Sequence, residues 1–168
     1  MKPTRLLFAL SILLLTAATV FAIDPGSPFE KLPDIILYGP DRGVPSEGLK
    51  AVPFDFDDHM IDNPNETKAL EQTAAWLKAH PDVRFYVFGY ADSRGDVLYN
   101  MSLSQRRADA VKNGLVKLGV APERILMSVG WGELYPSCGG EAENCWAQNR
   151  RVRVVDVSPR WVALLGGM

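Results

Sequence analysis

The stretch from Val83 to Ala91 places the tightest limit on how this chain can fold. Alternate side chains of a strand lie on opposite faces of its sheet, and here both sets are largely apolar. One set is Val83, Phe85, Val87 and Ala91, and the other is Tyr86, Phe88 and Tyr90. A strand that is apolar on both faces must be covered on both, so the pattern predicts a central strand. Asp92 follows it directly, at the end where open sheets commonly hold their ligands.

A first helix is predicted to begin just after Asn63. Asn63 is a good capping residue, Pro64 suits the first helical position, and Glu66 can complete a capping box. Pro81 ends the helical pattern. Its apolar side chains recur at helical spacing and are expected to pack on one face: Leu70, Ala74 and Leu77.

A second helix is predicted from about Ser102 or Ser104 to Leu118, where Gly119 ends it. At 100° per residue, its apolar side chains fall within an arc of about 80°. They are Ala108, Val111, Leu115 and Leu118. A stripe of this kind is typical of a helix that covers one face of a sheet.

The twin arginines Arg106 and Arg107 are not equivalent on this helix. Arg107 lies about 60° from the centre of the apolar arc, whereas Arg106 lies about 160° from it. Arg106 is therefore expected to point into solvent, and Arg107 is expected at the rim of the buried face, in the first turn. A cation in the first turn meets the positive end of the helix dipole, and a bound anion would relieve that repulsion.

Three further strands complete the predicted fold. In the first, Ala51–Ile61, Phe54 and Phe56 alternate with acids and are expected in the core while the acids face water. The other two strands are Ile125–Val129 and Arg151–Val157, separated by a glycine-rich loop. This order predicts an α+β two-layer sandwich, βαβαβ(loop)β, with the helices on one face of a mixed sheet.

The first residues predict an export signal. Lys2 and Arg5 form a basic start, the run from Leu6 to Val20 is largely apolar, and small residues allow cleavage after Ala22. The alternative is a retained membrane anchor, for which the run is short, since a span needs about 20 residues. The net charge is already −2, and cleavage would remove two cations. A weakly acidic exported domain argues against nucleic acid as a partner.

Residues 23–50 are rich in proline and glycine, which predicts an extended lead-in or linker with one short strand at Ile35–Tyr38. Such a segment would act as a spacer between the domain and whatever the N-terminus contacts. The predicted domain covers residues 51–158, and residues 159–168 form a short, largely apolar tail.

Cys138 and Cys145 are the only cysteines, and they lie close together in the glycine-rich loop. In an exported protein such a pair indicates a disulfide. A metal site is the alternative, but it would need more soft ligands, and the two histidines, His59 and His80, are distant in sequence. Neither a metal nor a cofactor is expected.

Asp92 and Arg107 bring a carboxylate and a guanidinium to the same end of a strand–helix unit. Two opposite fixed charges beside a turn can hold a zwitterionic ligand. They can equally form an internal salt bridge, which is common near turns and usually contributes little. The residues alone leave both interpretations open.

A longer series of motifs surrounds these two residues. It runs through Gly89-Tyr90-Ala91-Asp92-Ser93-Arg94-Gly95, Tyr99-Asn100, Leu103-Ser104, Arg106-Arg107-Ala108 and Val111, then Gly130-Trp131-Gly132-Glu133 and Asn149-Arg150-Arg151-Val152. With Phe54-Asp55-Phe56 at its start, this order resembles the OmpA-like domain. That domain is the C-terminal part of outer-membrane protein A, of the peptidoglycan-associated lipoprotein and of the flagellar stator protein MotB.

The resemblance implies non-covalent binding of peptidoglycan through the diaminopimelate of its stem peptide, linking the cell envelope to the cell wall. In such domains the acid that matches Asp92 receives the ligand's ammonium, and the arginine that matches Arg107 receives its carboxylate. The asparagine that matches Asn100 helps to shape the pocket, although by itself this residue would equally suit a turn or a helix cap. Ala91 departs from the family, where threonine is usual. The cysteine pair resembles a disulfide that some members carry.

The implied location is the periplasm, at the cell wall and the outer membrane of a Gram-negative bacterium, with other envelope proteins as further candidate partners. An enzyme is not expected. Acid pairs such as Asp55 with Asp57, or Asp92 with Asp96, would suit a glycan hydrolase, but no other catalytic group accompanies them. An uncleaved signal would indicate the alternative, a membrane-tethered structural or stator-like subunit.

Overall fold

The computed structural model describes residues 48–157. The predicted export signal, the strand at Ile35–Tyr38, most of the linker and the tail at residues 159–168 lie outside this range and stay predictions. Among the helices of residues 48–157, none is long and apolar enough to cross a membrane.

A mixed sheet of four strands forms the centre of the domain. The strands are β1 (Val52–Pro53), β2 (Phe85–Gly89), β3 (Ile125–Gly130) and β4 (Arg151–Asp156). Their order across the sheet is β1-β4-β2-β3. β4 is antiparallel to both β1 and β2, and β2 is parallel to β3. The predicted central place of β2 is confirmed, because it has a partner strand on each side.

Helices connect these strands in the predicted α+β arrangement. They are α1 (Pro64–Ala79), α2 (Val97–Lys117) and α3 (Glu143–Asn149), with a 3₁₀ turn at Pro122–Arg124. α1 and α2 pack against each other and against the sheet. The fold class predicted from the order of elements is therefore confirmed.

Both faces of the sheet are covered, as the pattern of β2 requires. On one face, Phe85 and Val87 join the main core. The helical residues of that core are Ala69, Leu70, Ala74, Leu77, Ala108, Val111 and Leu115. On the other face, Phe88 and Tyr90 form a second cluster with Val155. The two sets of side chains thus separate as the alternation predicted.

α1 begins with the predicted capping box. The side-chain oxygen of Asn63 accepts hydrogen bonds from the backbone N–H groups of Asn65 at 3.0 Å and Glu66 at 3.1 Å. In return, the Glu66 carboxylate accepts from the N–H of Asn63 at 3.4 Å. This reciprocal pair satisfies donors that have no partner within the helix, so it fixes where the helix starts.

α2 begins at Val97, so the predicted start at Ser102 or Ser104 is wrong. Asp96 caps this helix, and its Oδ1 accepts from the N–H groups two and three residues on, at 2.9 and 3.2 Å. Aspartate caps a helix as well as serine does, and the apolar stripe gave no sign of the extra turn. Arg107 therefore lies about three turns into the helix. The predicted repulsion in a first turn does not apply to it.

β1 is much shorter than the predicted strand at Ala51–Ile61, because the chain turns after Phe54. Phe54 is buried, and its N–H donates to the carbonyl of Arg150 at 3.0 Å. Asp57 has a φ of 56°, a left-handed conformation that does not continue a strand. Phe56 is 60% exposed as a result, so its predicted place in the core is wrong.

The glycine-rich loop between β3 and β4 was predicted to lack regular structure, but it contains α3. This helix has seven residues and no side-chain cap, so the usual signals for a helix start are missing. Cys145 lies on α3 and forms the predicted disulfide with Cys138, with an S–S distance of 2.00 Å. The disulfide ties α3 to the loop that precedes it.

Two glycines allow α2 to lie directly on the strands. A Cβ added to Gly89 would lie 2.0 Å from the carbonyl oxygen of Ser104. One added to Gly130 would lie 2.2 Å from the backbone nitrogen of Gln105. Backbone atoms of a helix cannot move individually to make room for a side chain. Because both positions are glycine, α2 can pack directly on the strands, and this places Arg107 near the carboxyl end of β2.

We predict that Gly89→Ala lowers the free energy of unfolding by about 3 kcal/mol, because α2 would have to move away from β2. Gly139→Ala is the matched control, since a Cβ there meets nothing within 4 Å, and it should change stability by less than about 0.5 kcal/mol. Urea denaturation measures both values. Equal stabilities of the two variants would contradict the close approach of α2 to β2.

Candidate functional site

A cavity of about 160 Å³ lies at the carboxyl end of β2. Asp92, Asn100 and Arg107, the three predicted binding residues, all line it. The structure thus brings together residues that are up to 15 positions apart in the sequence. Eight further residues line the cavity, and none of them was predicted to bind the ligand: Phe56, Asp57, Ala91, Arg94, Gly95, Tyr99, Leu103 and Arg150.

The carboxylate of Asp92 is 4% exposed and is bonded to two arginines. Its Oδ1 accepts hydrogen bonds from the backbone N–H and from Nε of Arg94, both at 3.1 Å. Its Oδ2 accepts from Nη2 of Arg94 at 2.6 Å and from Nη1 of Arg150 at 3.1 Å. Burial raises the pKa of Asp92, but these hydrogen bonds outweigh it and hold the pKa below its ordinary value. Asp92 is therefore an anion at neutral pH.

The guanidinium of Arg107 is completely buried, at 0% exposure. It donates only to backbone carbonyls: from Nε to Asp58 at 2.6 Å, from Nη1 to Tyr90 at 3.0 Å and from Nη2 to Asp55 at 2.9 Å. Among residues 48–157, no carboxylate forms a salt bridge with it. A guanidinium has five N–H donors, so two of them are left over for another acceptor.

Burial lowers the pKa of Arg107 to about 10, and the positive charge of Arg150 acts in the same direction, while the nearby carboxylates of Asp92, Asp58 and Asp57 oppose it. The side chain still carries its charge at neutral pH. A buried cation with no carboxylate bonded to it is costly, and an anion that reaches it would stabilise the charged form. The electrostatics of this side of the cavity therefore favour an anionic group.

The predicted alternative of an internal salt bridge between Asp92 and Arg107 is not what the structure contains. Asp92 pairs with Arg94 and Arg150 instead. Local spacing could not indicate Arg150, which follows Asp92 by 58 residues and reaches it from the residue between α3 and β4. The one signal for it was its place in the last motif of the resemblance.

Asn100 holds the turn that follows Asp92. Its side-chain amide donates to the carbonyls of Asp92 at 3.1 Å and Arg94 at 3.0 Å, and to the carboxylate of Glu133 at 2.7 Å. Asn100 is only 2% exposed and lies in the first turn of α2. It connects the 92–94 turn, the helix and the loop after β3, so it sets the shape of the cavity wall.

Arg94 lies between two aromatic rings. Its guanidinium carbon is 4.1 Å from the ring centre of Phe56 and 4.2 Å from that of Trp146 on α3. The ring of Phe56, which the turn after Phe54 leaves outside the core, thus covers a cation. The neighbouring Ala91 offers no hydroxyl to the cavity, and its N–H donates to the carbonyl of Gly132 at 2.8 Å.

The acids considered for hydrolysis make structural contacts. Asp57 accepts a short hydrogen bond from the hydroxyl of Tyr99, Asp55 accepts from the amide of Asn63 at 3.2 Å, and Asp96 caps α2. In the part of the chain that the structure describes, no group of three or more His, Cys, Asp or Glu residues is placed to hold a metal ion.

The sequence model of the OmpA family matches residues 53–150. Outer membrane porin F of Pseudomonas fluorescens is 45% identical over 101 residues, which are 60% of this chain and 30% of that protein. The peptidoglycan-associated lipoprotein of Brucella melitensis is 35% identical over 102 residues, 61% of this chain and 60% of that protein. The chain thus spans less than two thirds of the length of either relative.

Solved structures show the same fold. The crystal structure of the peptidoglycan-associated lipoprotein from Burkholderia pseudomallei is 38% identical, with a TM-score of 0.58, and the match covers 64% of this chain and 89% of that one. The C-terminal domain of Helicobacter pylori MotB matches with a TM-score of 0.60 at 20% identity, over 71% of this chain and 96% of that one. The second similarity concerns the fold alone.

We predict that Asp92→Asn lowers the free energy of unfolding by at least about 1.5 kcal/mol at pH 7, because two arginines lose their anion. The folded-state pKa of Asp92 is depressed, so its contribution is complete above the unfolded-state pKa of about 4. It is lost as the pH falls through the folded-state value. The difference in the free energy of unfolding between wild type and variant should therefore become smaller at acid pH.

Urea denaturation at pH 7 and at pH 3 measures the free energy of unfolding of wild type and Asp92→Asn. Asp82→Asn, an exposed acid at the other end of β2, is the control and should give no comparable effect at either pH. If the two proteins differed in the free energy of unfolding by the same amount at both pH values, Asp92 would not be stabilised as an anion.

Proposed function

The chain belongs to the OmpA family, and from that premise we propose that it binds peptidoglycan non-covalently, through the diaminopimelate of the stem peptide. In this proposal Asp92 receives the ligand's ammonium, Arg107 receives its carboxylate, and Asn100 keeps the cavity in shape. The names of two relatives support the ligand class, since both are peptidoglycan-associated lipoproteins. The contacts of the site support the assignment of each charge.

The observation that carries the proposal is the buried guanidinium of Arg107. Arg107 lines the cavity, its three hydrogen bonds to carbonyls leave two of its five donors for another acceptor, and no carboxylate of the described residues forms a salt bridge with it. Paired donors of this kind suit a carboxylate, whose two oxygens accept them side by side. Asp92 provides the opposite charge in the same cavity. A free amino-acid end group carries both complementary charges, so a single ligand can satisfy both walls.

The expected affinity for one such end group is modest. Charge-assisted hydrogen bonds contribute about 1.5–3 kcal/mol each, and association costs several kcal/mol in lost freedom. Ala91 adds no hydroxyl contact. The cell wall, however, repeats the same group many times, so retention on it comes from many sites or from several domains acting together.

The proposed setting is the cell envelope, with peptidoglycan as the partner and other envelope proteins as further candidates. The name of one relative, outer membrane porin F, places that protein at the outer membrane. Binding is proposed without catalysis, since the acids near the cavity serve a helix cap, hydrogen bonds or ion pairs. Soluble sugar fragments released from sacculi by the protein would contradict this part of the proposal.

Co-sedimentation with purified sacculi tests the site. Asp92→Asn should weaken binding about tenfold or more, because the ligand's ammonium loses its anion. Arg107→Lys keeps the charge but removes the planar donors, and it should weaken binding to a similar extent. Arg106→Lys is its matched control, because Arg106 does not line the cavity; it donates to the hydroxyl of Ser102, and its positive charge, which lysine keeps, lies 5.8 Å from the ring centre of Tyr99.

Asp82→Asn serves as the control for Asp92→Asn. Circular dichroism at the assay temperature verifies that each variant is folded. If Arg107→Lys unfolds, the binding of Asp92→Asn alone tests the proposed site. If both site variants sediment with sacculi as well as their controls do, the proposed site is wrong.

A further inference from the structure

The carboxylate of Asp92 has no acceptor site left for a ligand. A carboxylate offers about four lone-pair positions. Two arginines already donate four hydrogen bonds to it, two to each oxygen, at 2.6 to 3.1 Å. An ammonium that binds Asp92 must therefore displace one of these donors.

Two of the four donors are held in place, and the other two belong to the guanidinium of Arg94. The backbone N–H of Arg94 belongs to the turn that Asn100 fixes. The side chain of Arg150 is 7% exposed, and it is also bonded through Nε to the carbonyl of Phe54 at 3.0 Å and through Nη2 to Glu143 at 2.7 Å. By contrast, the side chain of Arg94 is 30% exposed. Its guanidinium is the group that can leave.

A second site for this guanidinium already exists next to Asp92. The carboxylate of Glu143, which is 62% exposed, lies 3.4 Å from Nη1 of Arg94. The rings of Phe56 and Trp146 attract the cation wherever it lies between them. Arg94 can therefore give up Asp92 and keep a counter-ion and both ring contacts.

We propose that Arg94 is a built-in counter-cation of Asp92, which the ammonium of the ligand replaces while Arg94 moves to Glu143. This inference rests on the proposed function and adds a residue that determines specificity. The exchange leaves the charge next to Asp92 unchanged only when the incoming group is itself a cation. A ligand whose amine is acylated cannot replace Arg94, so it is rejected at this step.

Arg94→Gln tests the exchange, because it removes the competing cation but leaves Asp92 in place. We expect this variant to bind both sacculi and free meso-diaminopimelate about threefold to tenfold more tightly than wild type does, measured by co-sedimentation at limiting sacculi and by calorimetric titration. Arg84→Gln is the matched control: it removes the same charge at an exposed position at the other end of β2, and it should behave as wild type.

Unchanged or weaker binding of Arg94→Gln would overturn the exchange. Weaker binding would show that Arg94 itself holds the ligand. The Asp92→Asn variant separates this failure from failure of the proposed function. If Asp92→Asn loses binding but Arg94→Gln gains none, only the exchange is wrong; if Asp92→Asn binds as wild type does, the site itself is wrong.

Nitrogen-15 NMR of the wild-type protein gives a second readout that does not depend on a variant. The Nε–H of Arg94 donates to Asp92 at 3.1 Å in the structure and should be slow to exchange with water. Saturating meso-diaminopimelate should shift this resonance and speed its exchange. A resonance that keeps its shift and its protection in the bound state would also overturn the exchange.

Discussion

The site depends on the burial of one guanidinium. Arg107 is held by carbonyls from the segment after β1 and from the end of β2, so it ties α2 to both. Carbonyl groups fix its position and satisfy three of its donors, but they carry no net charge to neutralise it. The glycine contacts under α2 make this depth possible. The fold itself therefore places a buried positive charge with no bonded carboxylate in the wall of the cavity.

Asp92 and Arg107, the two predicted binding charges of the cavity, differ in the partners that the protein gives them. Asp92 forms salt bridges with two arginines, whereas Arg107 forms none with any carboxylate of the described residues. A zwitterionic ligand suits both residues, because its anionic group can pair with Arg107 and its cationic group can take the place of Arg94 at Asp92. The disulfide and α3 take part indirectly, since α3 carries Trp146 and Glu143, which hold Arg94.

Local patterns in the sequence predicted the features that are determined by residues close together in the chain. The two-sided apolar strand β2 and the capping box of α1 follow from spacing alone, and the helical angle correctly put Arg107 on the buried side of α2. The start of α2 was wrong, because an aspartate cap precedes the apolar stripe. Phe56 and Arg150 were not assigned to the site, since their partners are distant in sequence and no periodicity marks such contacts.

The most direct test of the account is a crystal structure of the protein with meso-diaminopimelate bound. The account predicts an ammonium of the ligand about 3 Å from Asp92, its carboxylate at the two free donors of Arg107, and the Arg94 side chain on Glu143. A structure in which Asp92 keeps Arg94 as its partner, while the ligand lies elsewhere or contacts neither charge, would contradict it.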